Sequence, residues 1–153
     1  MMKRHTWIAV LGLAITQLLL GQDSGSVEKA AAKYVPGVAW RRQSVVSGNF
    51  SCRGRKEQAI LGISKSEIVI AVFVNGLDSR PEVLHYSAKA RNPETATLKT
   101  EDLDYDPKEA IGSDLDGFKL SKSCKGLNLS DGDTDSAHIY WNHKSHRFED
   151  LTP

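Results

Sequence analysis

The run Ile68-Val69-Ile70-Ala71-Val72-Phe73-Val74 is apolar at every position. A strand turns successive side chains to opposite faces, so a strand of this composition escapes water only when both of its faces are covered. The run therefore predicts the central strand of a sheet with material packed above and below it. Ser64-Lys65-Ser66 leads back to the run Glu57 to Ile63, which predicts a hairpin between the two, and Asn75-Gly76 opens the next turn.

Further short β-type runs occupy Trp40 to Phe50, Glu82 to Ala88, Leu98 to Leu103, Phe118 to Leu120, Leu127 to Leu129, Ala137 to Trp141 and Arg147 to Leu151, with Asn142 to His146 linking the last two. The acidic stretch Asp102 to Asp116, broken by Pro107 and Gly112, reads as a surface loop. One segment has helical spacing: Val27, Ala30, Ala31, Tyr34 and Val35 form a stripe that Ser26 can cap and that Pro36-Gly37 ends. The fold class is α+β or mainly β, an antiparallel sheet of short strands with one short N-terminal helix after a signal peptide.

That signal peptide is read from Lys3 and Arg4, the apolar run Trp7 to Leu20, and the abrupt change at Gly21-Gln22-Asp23. The run is shorter than the about 20 residues that span a bilayer. Residues 1–22 are thus expected to direct export and residues 23–153 to fold as a single domain in the periplasm or the medium, without a stable membrane span; an uncleaved anchor is the alternative. Cys52 and Cys124 are the only cysteines, and in an oxidising compartment they predict a disulfide. Neither lies in a C-x-x-C unit, which argues against a metal. Loss of Lys3 and Arg4 leaves 20 − 2 = 18 basic against 19 acidic residues. A nearly neutral domain is a poor generic binder of nucleic acid.

The segment Gly48-Asn49-Phe50-Ser51-Cys52-Arg53-Gly54-Arg55-Lys56-Glu57-Gln58-Ala59-Ile60 is similar to the G-D-x-[DN]-x-D-G-x-x-D-x-A loop of FG-GAP and VCBS-type domains of secreted bacterial proteins. In that family, acidic positions around the glycine turn hold calcium. The resemblance puts Asn49, Ser51, Arg53 and Glu57 at the ligand positions and Gly54 at the turn. It implies strand, turn and strand geometry, and the cation at Arg53, with Arg55 and Lys56 beside it, denies the metal. Lys33 to Trp40, Ser123 to Leu127 and Asp135 to Asn142 also resemble parts of small exported bacterial proteins of uncharacterised function.

Three constellations invite a functional reading. Asp131, Asp133 and Asp135 have the alternating spacing that begins a calcium loop, but Ser136 stands where the turn glycine belongs and Asn142 where the closing glutamate belongs. His138 with Asp135 or Ser136 suggests hydrolase chemistry, although neighbours in sequence seldom give a triad's geometry. Arg41, Arg42, Arg53, Arg55 and Lys56 make a basic rim that suits an anionic partner. Trp40, Tyr86, Tyr140, Trp141 and Phe148 read as core or sheet-face residues. The reading that follows is an exported, non-enzymatic domain without a cofactor, acting through surface contact with a protein or an anionic envelope component. A small envelope hydrolase and a calcium-stabilised module are the alternatives.

Overall fold

A computed structural model describes residues 19–151. The start of the expected signal peptide, including Lys3, Arg4 and most of the apolar run, lies outside the described residues. The first element, α1, spans Leu19–Tyr34. It begins upstream of the expected cap, so Ser26 sits inside the helix; no proline interrupts Leu19 to Ser26, and Gly21 and Gly25 each cost a helix only about 1 kcal/mol. Its end follows expectation: the Val35 N–H donates to Ala31 O at 2.8 Å, and Gly37 takes a left-handed φ of 81°. Among the described residues no helix is long and apolar enough to cross a membrane.

Two antiparallel sheets follow, where the sequence suggested one. In the first, β3 (Glu57–Ile63) pairs on one side with both β1 (Ala39–Trp40) and β2 (Val46–Gly48), and on the other with β4 (Glu67–Phe73), which pairs with β5 (Glu82–Ser87). The expected β3–β4 hairpin forms, with a register from Gln58 opposite Phe73 to Ile63 opposite Ile68. The expected strand from Trp40 to Phe50 is broken by a 3-10 turn at Arg42–Ser44. The ladder survives the break because the Leu61 N–H donates to the Ser44 hydroxyl oxygen at 2.9 Å, a side chain replacing a backbone partner.

The second sheet is a meander of β6 (Thr97–Leu103), β7 (Ser121–Ser130), β8 (Ala137–Asn142) and β9 (Arg147–Leu151). Phe118 to Leu120 is not a strand. Phe118 instead packs its ring on Tyr105 and Tyr140, at 5.6 and 5.4 Å between centroids, and this contact outweighs local strand propensity. The acidic loop carries a short helix, α2 (Pro107–Ile111), capped by the Asp106 carboxylate.

The sheets pack face to face. Phe50, Ala59, Leu61, Ile68, Ile70 and Val72 meet Leu98, Leu127, Leu129, Ala137, Ile139 and Phe148 in one core. On the outer face of the first sheet, Val27, Ala30 and Ala31 of α1 cover Ile60, Ala71 and Phe73. On the outer face of the second, Tyr105, Leu115 and Phe118 cover Leu103, Cys124 and Tyr140. The Cys52–Cys124 disulfide joins the β2–β3 loop to β7 across a sequence separation of 72. Closure of a loop that long stabilises a fold by on the order of 4 kcal/mol on the chain-entropy account.

Ile70 is fully buried at the centre of this core. Ile70→Ala is expected to remove about 2–5 kcal/mol of stability. Urea denaturation checks it, with a lower midpoint and an unchanged slope.

Candidate functional site

The loop between β2 and β3 is built around a buried carboxylate. Glu57 is 2 % exposed; it accepts the Ser51 N–H at 2.7 Å and the Ser51 hydroxyl. Asn49 Oδ1 accepts the Gly54 N–H at 2.9 Å, and Gly54 turns the chain at a φ of 70° that disfavours any side chain. Cys52 also has a positive φ, 59°, and its disulfide partner Cys124 lies one residue from Lys125, whose N–H donates to Asn49 O.

Arg53 lies across the middle of this loop. Its Nε donates to Ser51 Oγ at 2.8 Å, one Nη donates to Val74 O at 2.9 Å and lies 3.5 Å from Glu57 Oε1, and the other donates to Asn75 Oδ1 at 3.2 Å. Asn49, Ser51, Arg53, Gly54 and Glu57 thus lie in one small loop, with the guanidinium among the oxygens. A carboxylate withdrawn from water needs a compensating charge and donors, and Arg53 with Ser51 supplies both.

The five basic residues are not gathered at one place. Arg41 donates to Pro93 O at 2.7 Å and Ala96 O at 3.0 Å, tying the edge of the first sheet to the segment that leads into the second. Arg42 pairs with Glu28 of α1 at 2.6 Å. Arg55 and Lys56 stay with the loop and line, together with Ser47, Gly48, Asn49 and Gly54, a shallow groove of about 450 Å³.

Asp131 organises the turn before β8. Its Oδ2 accepts the Asn92 N–H at 2.8 Å, and its Oδ1 accepts the N–H groups of Asp133 at 3.1 Å and Thr134 at 3.0 Å; the Thr134 hydroxyl donates as well. Burial alone would raise its pKa, but these donors together outweigh burial and hold it down at about 2. Asp133 instead accepts from the Asn92 side chain, and the Asp135 carbonyl accepts from Arg91 at 2.8 Å. Three N–H groups and one hydroxyl therefore donate to the Asp131 carboxylate. Among the described residues no group of three or more His, Cys, Asp or Glu is arranged to hold a metal.

His138 has a partner that the sequence did not suggest. Its Nδ1 lies 2.8 Å from Glu101 Oε2, and Asn128 Nδ2 donates to the same oxygen at 3.3 Å. Glu101 is on β6, and the register that sets Glu101 opposite Gly126 and Asn128 opposite His138 brings the two together across β7. No motif encodes a pair 37 residues apart; alternation on the outer face of a three-strand meander is the only signal, and it needs the register. Tyr105 packs its edge on the His138 ring at 6.4 Å, and burial followed by the charge of Glu101 pushes its hydroxyl up to about 12.

The aromatic residues are where core packing puts them. Tyr140 and Phe148 are buried, Trp141 stacks edgewise on Phe148 at 5.1 Å, and Trp40 lies against Gly62, where an added Cβ would come within 2.7 Å of the ring.

Compared with known proteins, the chain matches no family model, no curated protein and no solved structure.

Glu57→Ala leaves the buried Ser51 N–H and hydroxyl without their acceptor, so it is expected to cost about 1–3 kcal/mol in chemical denaturation. Asp131 gives a pH signature. Its folded pKa of about 2 lies below its ordinary 3.8, so its contribution is complete above about pH 4 and lost as pH falls through 2. The wild type should lose on the order of 2 kcal/mol through this group over that window, and Asp131→Asn should be less stable at neutral pH with a flatter acid limb. Urea midpoints at several pH values measure both.

Proposed function

We propose that this is an exported, non-enzymatic β-sandwich domain of the bacterial periplasm or medium that acts by surface contact with an anionic envelope component or an acidic protein surface. The observation that carries this reading is the groove at the disulfide-stapled loop, lined by Ser47, Gly48, Asn49, Gly54, Arg55 and Lys56. Arg53 backs that surface, but its charge is engaged with Glu57 and it serves the loop first. The disulfide agrees with an oxidising compartment, and Lys3, Arg4 and the apolar run supply the export signal. The loop itself is read as a degenerate FG-GAP/VCBS-like loop in which an arginine has taken over charge compensation from a cation.

A second reading rests on the Glu101–His138 pair. A carboxylate that holds imidazole Nδ1 leaves Nε2 free to act as a general base, so hydrolysis assisted by His138 is the enzymatic alternative. Loss of any measured hydrolytic turnover in His138→Ala, and its survival in Asp135→Ala and Ser136→Ala, would favour this reading.

The contact reading is tested with the double variant Arg55→Glu, Lys56→Glu, which leaves Arg53 and the buried carboxylate intact. Partners captured from an envelope extract by the wild type should bind this variant at least about tenfold more weakly, and wild-type binding should fall as salt rises. Undiminished capture by the variant would remove the groove from the function.

A further inference from the structure

The chain has five asparagines, at 49, 75, 92, 128 and 142, and only Asn75 precedes a glycine. Gly76 is exposed, has a φ of 85°, and has no atom within 4 Å of where a Cβ would stand. Gly76 carries no side chain that could stand between its backbone nitrogen and the Asn75 amide. Asn75 is exposed as well, and its Oδ1 accepts a hydrogen bond from an Arg53 Nη at 3.2 Å. A guanidinium only donates, so the amide presents its oxygen, not its nitrogen, to Arg53. The guanidinium is held in place by Ser51 Oγ at 2.8 Å and Val74 O at 2.9 Å.

We propose that Asn75 is a site of spontaneous covalent modification, an asparagine whose deamidation is promoted by Arg53. The Gly76 nitrogen attacks Asn75 Cγ and loses its proton to water. Negative charge develops on Oδ1, the atom to which Arg53 already donates, so the donor is in position before the charge forms. The Cγ–Nδ2 bond then breaks as Nδ2 takes a proton back from water and leaves as ammonia, and the ring that remains is a five-membered succinimide. Water opens this ring at either carbonyl, giving aspartate or isoaspartate at position 75. The net change is one water consumed and one ammonia released, with no oxidation or reduction.

The product places a carboxylate against Arg53, which already compensates the buried Glu57, and lowers the net charge of this end of the molecule by one. The isoaspartate form also lengthens the backbone by one carbon in the connection between β4 and β5. The modification alters the charge and shape of the end of the molecule that carries Arg55 and Lys56, yet the chemistry itself does not depend on what that end binds.

The test incubates purified folded protein at neutral pH and follows each asparagine by peptide mass mapping, with isoaspartate methyltransferase labelling to find the iso form. Position 75 should convert while 49, 92, 128 and 142 stay intact. Arg53→Gln should slow conversion by about tenfold, the worth of one charge-assisted hydrogen bond, and Gly76→Ala should slow it further. Arg53→Lys keeps the positive charge and should fall between wild type and Arg53→Gln. Melting curves show that each variant is folded at the incubation temperature. If position 75 remains amide, or if folded Arg53→Gln and Arg53→Lys convert as fast as the wild type, the proposal is overturned.

Discussion

Every side chain of β4 from Ile68 to Phe73 is at most 2 % exposed, although successive ones point in opposite directions. A strand in that state cannot belong to a sheet with one wet face. It needs a partner layer on each side, and the rest of the molecule is arranged to supply them. Ile68, Ile70 and Val72 face the second sheet, while Ala71 and Phe73 face α1. The small residues on each side matter as much as the large ones. Ala30 and Ala31 bring the helix close to the strands, and Gly62 makes room for Trp40.

Polar groups lock the edges of this sandwich. At one edge Arg41 reaches the carbonyls of Pro93 and Ala96; at the other, the Phe148 N–H donates to Glu82 at 2.6 Å, and burial raises the pKa of that carboxyl against the pull of this bond and of Arg147. The same economy operates at the end of the sandwich, where Glu57, Ser51 and Arg53 satisfy one another beside the disulfide. Charge at that end follows from the need to compensate a buried carboxylate, and the outward cations Arg55 and Lys56 are added to it. Structure and proposed surface are thus neighbours in one loop, which is why Arg53 cannot be treated as a free contact residue.

Elements with a strong period were legible in the sequence. The sequence runs that become β3, β4, β5 and β9 lie within a residue of the observed bounds, because alternation, turn residues and apolar content agree there. Agreement failed where one side chain overrode the local pattern. Ser44 substitutes for a backbone partner and divides a strand in two; Phe118 leaves the strand direction to join an aromatic cluster; and α1 extends upstream because nothing in Leu19 to Ser26 forbids it. At the sites the division is sharper. The Asp131 spacing suggests the start of a calcium loop, whereas in the fold its oxygens accept N–H and O–H donors, one from as far away as Asn92. Adjacency in sequence pairs His138 with Asp135 or Ser136, and its partner in the fold is Glu101.

By itself the sequence determined a β-rich domain with an N-terminal helix, a strand that must be covered twice, the pairing of its only two cysteines and the basic character of the loop around Gly54. These are consequences of residue type and local spacing, which folding does not change. Only the tertiary structure decided that the strands divide into two sheets, that Arg41 and Arg42 are drawn away from the basic loop, and that Glu101 meets His138 and Arg53 meets Asn75. Those contacts depend on strand register and on which face of each sheet is turned inward, and both are set by packing the whole chain at once.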